Sequence, residues 1–249
     1  MRMAGAVGLV LFFAAGNGRP EGAARSSRLY AGRTSSNLAV TGVIQGQVVF
    51  QGKDIPKPSQ VENTTDPEYC GTQHSLEDFL VSPKNRGIKN VVVALAAGSF
   101  PPAPEGAAAN QKQTLNNRNC RFEPHVAVLQ TGGSVEAVNA DKIFHTTHLY
   151  YGPLSKNLGL GIGEKASQAA NRPGFIIVKC DIHGWMKAFI RVDDHPFHAV
   201  SDADGRFEIR GVPEGTYTLE IWHERLGEQK MNINVKAGVP QMLTIGYGK

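Results

Sequence analysis

The sequence predicts an all-β protein. Glycine (28) and proline (14) are plentiful among the 249 residues, and aromatic content is only 8%. Long helical periodicities are absent, whereas short β-branched runs such as NVVVAL (90–95) and FIIVK (175–179) recur. Such runs, separated by turn-forming residues, read as strands and hairpins. A chain of this length holds one large domain or two small ones. Its 41% hydrophobic content is ordinary for a globular protein and allows a sizeable core.

The N-terminus reads as an export signal. Arg2 precedes an apolar run from Ala4 to Ala15, too short for a typical membrane span. We expect a signal segment over residues 1–24, with cleavage near Ala15–Gly18 or Ala23–Ala24, and a periplasmic or secreted mature chain. No other stretch could span a membrane. Residues 25–39 are small, polar and without period, as in a linker.

Val40 to Phe50 reads as a strand with a glycine-marked turn or bulge, and Gln51 to Asp54 as a turn. Ile55 to Val61 carries two prolines and suits an edge segment. Asn90 to Leu95 is a buried-strand candidate. The Pro/Ala loop at 98–110 is the first internal boundary. Beyond it, Cys120 to Val128 and Ser134 to Asn139 are strands of alternating polarity around Gly132-Gly133. Asn139 to His148 reads as a loop, and 152–174 as a long Gly-, Ser- and Asn-rich connection. Phe175 to Lys179 is a strand running directly into Cys180, and Met186 to Val192 is its return. The rest alternates again: Ala199 to Ile209 with an Asp-Gly turn, then Val212 to Trp222, Met231 to Val235 and Gln241 to Ile245.

Cys180-Asp181-Ile182-His183-Gly184-Trp185-Met186 carries the chemistry. Thiol, imidazole and thioether stand three residues apart, twice in succession. Thiolate and thioether are soft ligands and imidazole is borderline. With a second histidine they suit a His2Cys site with a weak axial Met, which is a copper electron-transfer arrangement. Cys70 and Cys120 remain, and they can pair in an oxidising compartment. Three buried thiols is the plain alternative, and a Cys120–Cys180 pair would remove the copper reading. The net charge of +4 comes without a basic run or stripe, so nucleic-acid binding is unsupported. Gly159 to Lys165 lacks the spacing of a phosphate loop and reads as a flexible loop. Asp202 to Gly205 reads as a hairpin turn, not a calcium loop.

Residues 115–192 resemble a cupredoxin of the plastocyanin/amicyanin type. The shared features are FxPxxxxxxxGG at Phe122–Gly133, the strand ending in Asn139, His145 six residues later, and the short Cys180–Met186 loop. The resemblance implies His145, Cys180, His183 and Met186 as copper ligands, with His145 favoured over His148 by its spacing from Asn139. His183 lies on the loop tip, so its ring edge is the expected electron port, with Trp185 beside it as a partner contact or lid. Two positions depart from the family. Thr146 stands where an Asn usually ties the ligand loops together. Asp181, often a hydroxyl residue there, would lower the potential if it pointed inward.

The string SDADGRFEI–GVPEGTYTLEI (201–221) resembles the carboxypeptidase regulatory-like, prealbumin-type β-sandwich. We therefore expect a discontinuous sandwich over 40–105 and 195–249, with the cupredoxin-like domain, 106–194, inserted in it or packed beside it. Residues 51–89 match neither family well. The function expected is an exported single-electron copper carrier with a redox partner protein and no catalytic residues. The alternatives are copper delivery without redox turnover and a binding scaffold with a vestigial copper site. For the scaffold, Trp222 and Tyr217 would be exposed aromatic platforms. His125 reads as a half-exposed strand residue, and His195, His198 and His223 as structural.

Overall fold

The computed structural model describes residues 41–98, 100, 108 and 110–248. The expected leader (1–24) and linker (25–39), and most of the Pro/Ala loop at 98–110, lie outside the described residues. The described chain is all-β apart from one four-residue helix, α1 (Pro67–Cys70).

The strands run in chain order as follows. β1 (Gly42–Phe50) precedes a short ribbon, β2 (Gln60–Glu62) and β3 (Gln73–Ser75), with α1 between them. β4 (Val92–Leu95) follows. Then come β5 (Lys112–Arg118), β6 (Arg121–Glu123), β7 (Val126–Gln130), β8 (Ser134–Asn139) and β9 (His145–Tyr151). β10 (Leu154–Leu160), β11 (Lys165–Ala169), β12 (Gly174–Lys179) and β13 (Lys187–Asp193) complete that block. The C-terminal strands are β14 (His198–Val200), β15 (Arg206–Val212), β16 (Gly215–His223), β17 (Gly227–Val235) and β18 (Pro240–Tyr247).

They assemble into stacked sheets. The sheets β10-β9-β12-β13-β7 and β11-β8-β5-β6 enclose one core, centred on Leu115, Leu129, Leu149, Ile176 and Ile190. The sheets β15-β1-β18 and β14-β4-β16-β17 enclose a second, centred on Ile44, Val48, Val93, Leu219 and Ile221. Side chains alternate across each strand, so one face of a sheet enters a core while the other is free for a second partner. β4 uses both faces, and all four of its residues are buried. Val93 and Leu95 enter the second core, while Val92 and Ala94 pack with Val126 of β7 and Phe189 of β13. A strand buried on both sides needs a continuous apolar run, which is what its sequence shows.

Charges cross the same junction. Arg191 of β13 reaches Asp193 at 2.7 Å and Glu220 of β16 at 2.9 Å. Asp193 also accepts from His198 at 2.9 Å. Burial works to raise the Asp193 pKa, but His198 and Arg191 outweigh it and hold the carboxyl below its ordinary range. His195 bonds the Leu95 carbonyl through Nε2 at 2.8 Å.

Two sequence expectations need correction. His145-Thr146-Thr147-His148 begins strand β9 and is not a loop. The segment 152–174 contains two strands, β10 and β11. β10 pairs with β9 along its whole length, from Leu154↔Tyr151 to Leu160↔His145. Its first four residues are exposed. An edge strand held by its backbone ladder needs little apolar periodicity, so pattern reading passes over it.

Candidate metal centre

β9 and the β12–β13 loop bring the sulfur and two imidazoles together. The donor atoms of His145, Cys180 and His183 lie within 4.8 Å of one another, and all three residues are buried. Cys180 directly follows β12, and its N–H donates to the Met186 carbonyl at 3.2 Å. The Met186 N–H donates to the His183 carbonyl at 2.9 Å. These bonds close the seven-residue loop on itself. Met186 is buried and packs in the same core cluster as Cys180.

Each imidazole is turned by a carboxylate. Asp141 meets His145 Nε2 at 2.9 Å, and Asp66 meets His183 Nε2 at 3.0 Å. A carboxylate accepts only, so each Nε2 carries a proton, and in the neutral ring the lone pair is left on Nδ1. His183 Nδ1 lies 3.5 Å from Cys180 Sγ. His145 Nδ1 is buried without any hydrogen-bond partner. Burial, then the nearby His183 ring, push the His145 imidazole below its ordinary pKa, against the pull of Asp141. A buried, neutral, unpartnered nitrogen beside a thiol is a metal donor in waiting, and the donor set suits copper. Asp141 is itself fixed, accepting from the Asn119 and Cys120 N–H groups at 2.7 and 2.9 Å. Cys120 also lies near Asp141 and His145, but its sulfur is committed to Cys70, with Cα atoms 5.6 Å apart.

Thr146 supplies a tie between the loops. Its Oγ1 accepts the Asp181 N–H at 2.8 Å and lies 3.6 Å from Cys180 Sγ. Thr146→Val should cost about 1 kcal/mol, the usual net contribution of one hydrogen bond, here to a part-buried N–H. A lower urea midpoint at unchanged m-value would show it; an unchanged midpoint would mean that Thr146 is not the tie. Asp181 points away from the thiol. Its carboxylate meets His148 Nδ1 at 2.9 Å and Asn157 at 2.6 Å. The inward carboxylate considered from sequence is therefore absent, and His148 faces the opposite side from the donor cluster.

The stretch that fits neither resemblance covers the site. Residues 59–78 form a strap over the Cys180–Met186 loop. Cys70 anchors it to Cys120, and the Tyr69 hydroxyl accepts the Lys142 N–H at 3.0 Å. His74 stacks on Trp185 with ring centroids 4.3 Å apart. With Asp66 over its Nε2, His183 is 0% exposed. The expected exposed ring edge at His183 is thus closed, and Trp185 packs under the strap, its Nε1–H donating to the Cys120 carbonyl at 2.9 Å. His125 is buried and paired with Glu224, where the sequence suggested half-exposure. Asp141 could have been found from sequence, since an acid four residues from a candidate ligand is a natural partner. Asp66 could not, being 117 positions from His183.

No protein-family model matches the chain, and no curated protein does. Solved structures of copper proteins match part of it. A copper-containing nitrite reductase from Thermus scotoductus SA-01 is 27% identical at TM-score 0.31, over 40% of this chain and 25% of that one. A Cu(I) amicyanin variant is 16% identical at TM-score 0.30, over 40% of this chain and 97% of that one. A purple cupredoxin from Nitrosopumilus maritimus is 15% identical at TM-score 0.29, over 32% of this chain and 97% of that one. The chain thus spans a quarter of the length of the nitrite reductase. At these TM-scores the likenesses carry nothing about function, which rests on the residues of the site.

Proposed function

We propose that the chain is an exported copper protein that carries single electrons, with His145, Cys180, His183 and Met186 as its ligands. The observation that carries this is the buried convergence of the Cys180 thiol with two histidines, both turned by carboxylates. Bound copper would supply a one-electron change between Cu(II) and Cu(I). The chain's part is to hold the donors still. Asp141 and Asp66 fix the rings, Thr146 ties β9 to the Cys180 loop, and burial keeps water from the thiol. Donors pre-set in this way need little rearrangement between oxidation states. That favours electron transfer over copper delivery, in which a cargo ion must reach solvent-accessible ligands.

We assign no enzymatic role. The second sandwich, read as carboxypeptidase regulatory-like from its sequence string, serves as scaffold. A binding role on exposed aromatic platforms loses its candidates. Tyr217 is buried, and Trp222 packs against Phe175 and Phe189 at 4.5 and 5.0 Å. Among the described residues no helix is long and apolar enough to cross a membrane. The test is the visible spectrum with one equivalent of Cu(II). The wild-type chain should show an intense thiolate-to-copper band, and Cys180→Ala should abolish it. Copper bound without that band would overturn the reading.

A further inference from the structure

The strap closes the obvious exit from the centre, so contact with a partner must be made elsewhere. Trp185 touches His183 edge-on, with centroids 5.2 Å apart, and stacks on His74 at 4.3 Å. Both His74 and Trp185 line a cleft of about 190 Å³, whose wall also includes Met186. That volume is below the range of drug-sized sites, so its occupant is small. The cleft's charges are nearly all matched. Glu77 pairs with Lys89 at 3.7 Å, Asp78 pairs with Arg225, and Glu224 takes Lys187 at 3.4 Å together with His125. Arg121, the remaining cation on the wall, has no carboxylate within 4.0 Å among the described residues. The stacked rings give a continuous packed path from the donor cluster to this cation.

We propose that this cleft is where the centre meets its redox partner, and that it admits a small anionic one-electron carrier drawn by Arg121 and stopped against Trp185. This rests on the copper reading above. In the exchange one electron leaves the reduced centre and enters the carrier. The centre is oxidised and the carrier reduced, no bond is made or broken, and no proton moves.

Two measurements on the full chain test it. In the first, hexacyanocobaltate(III), a redox-inert anion, is titrated into metal-free and Cu(I)-loaded protein while the Trp185 indole N–H resonance is followed. A saturable shift is expected in both forms, absent in Arg121→Glu and absent with hexaamminecobalt(III). In the second, the copper-loaded protein is oxidised by hexacyanoferrate(III). Arg121→Glu should slow this on the order of fivefold at low salt, with Arg121→Gln between, and the effect should shrink as ionic strength rises. The thiolate band should be unchanged in both variants. A Trp185 resonance that does not move, or oxidation rates indifferent to Arg121, would overturn the proposal. Failure of the copper reading is distinct: the thiolate band would be missing, while the metal-free titration would still show whether the cleft takes the anion.

Discussion

Replacing Cys70 and Cys120 together by alanine should lower stability by about 4 kcal/mol, the chain-entropy value for a cross-link closing a loop of this size. The two cysteines are 50 positions apart, and the bond joins the strap to the β5–β6 turn. Cys120 is fully buried in the core beneath the donor cluster, so the pair also anchors the site from below. A urea titration of the variant against the wild type checks the value. A loss below about 1 kcal/mol would mean that the strap is held by its other contacts, Tyr69 on Lys142 and His74 on Trp185, and not by the covalent tie. The same variant should open the site. With the strap loosened, His183 loses its cover and should react with diethyl pyrocarbonate, whereas the wild-type residue, fully buried, should not. The strap would then be a structural part of the centre supplied by a distant stretch of sequence.

What could be read in advance divides along physical lines. Cys180, His183 and Met186 stand in one heptapeptide, so their convergence follows from chain geometry and their spacing was visible. His145 was legible from its distance to Asn139, although the chain around it was misread as a loop; two histidines three apart in a strand take opposite sides, and only His145 joins the cluster. β4 announced itself by an unbroken apolar run. β10 and β11 did not, because their stability lies in backbone bonds that leave no mark on side-chain pattern. The strap was illegible for a different reason. Residues 51–89 are polar and aperiodic, and the contacts of Asp66 and His74 are made with residues more than a hundred positions away. Local pattern cannot report such pairings. A loop-tip position in the sequence points to His183 as the electron port, and the structure covers that edge with the Asp66 carboxylate.

Acid should unfold the protein well before its carboxylates are all protonated, and His223 should be the largest single cause. The residue ends β16 almost fully buried, with its Nδ1 accepting the Arg225 N–H at 3.2 Å and its ring against Phe79. Burial dominates and carries its pKa from 6.5 down to about 4; Glu224 and Asp78 pull upward, while His125 and Arg225 push down. The folded state therefore keeps the ring neutral over a range in which the unfolded chain takes up a proton. Between pH 6.5 and about 4 the unfolded state binds more protons, so stability falls as pH falls through that window. At 1.36 kcal/mol per pKa unit the full loss is about 3 kcal/mol, complete near the folded value. His74 and His145 are also depressed by burial and add slope of the same sign. Asp193 acts lower: its depressed pKa contributes stability above the ordinary carboxylate value, lost as pH falls through the folded one. His223→Asn keeps an acceptor for the Arg225 N–H at the position of Nδ1 and cannot titrate. Urea midpoints measured from pH 7 to 4 should fall less steeply for this variant than for the wild type, the difference isolating His223 from the other histidines. Parallel curves would show that the buried ring takes its proton without unfolding, through a local opening of the β16–β17 turn, and that the acid limit of the fold lies with the carboxylates instead.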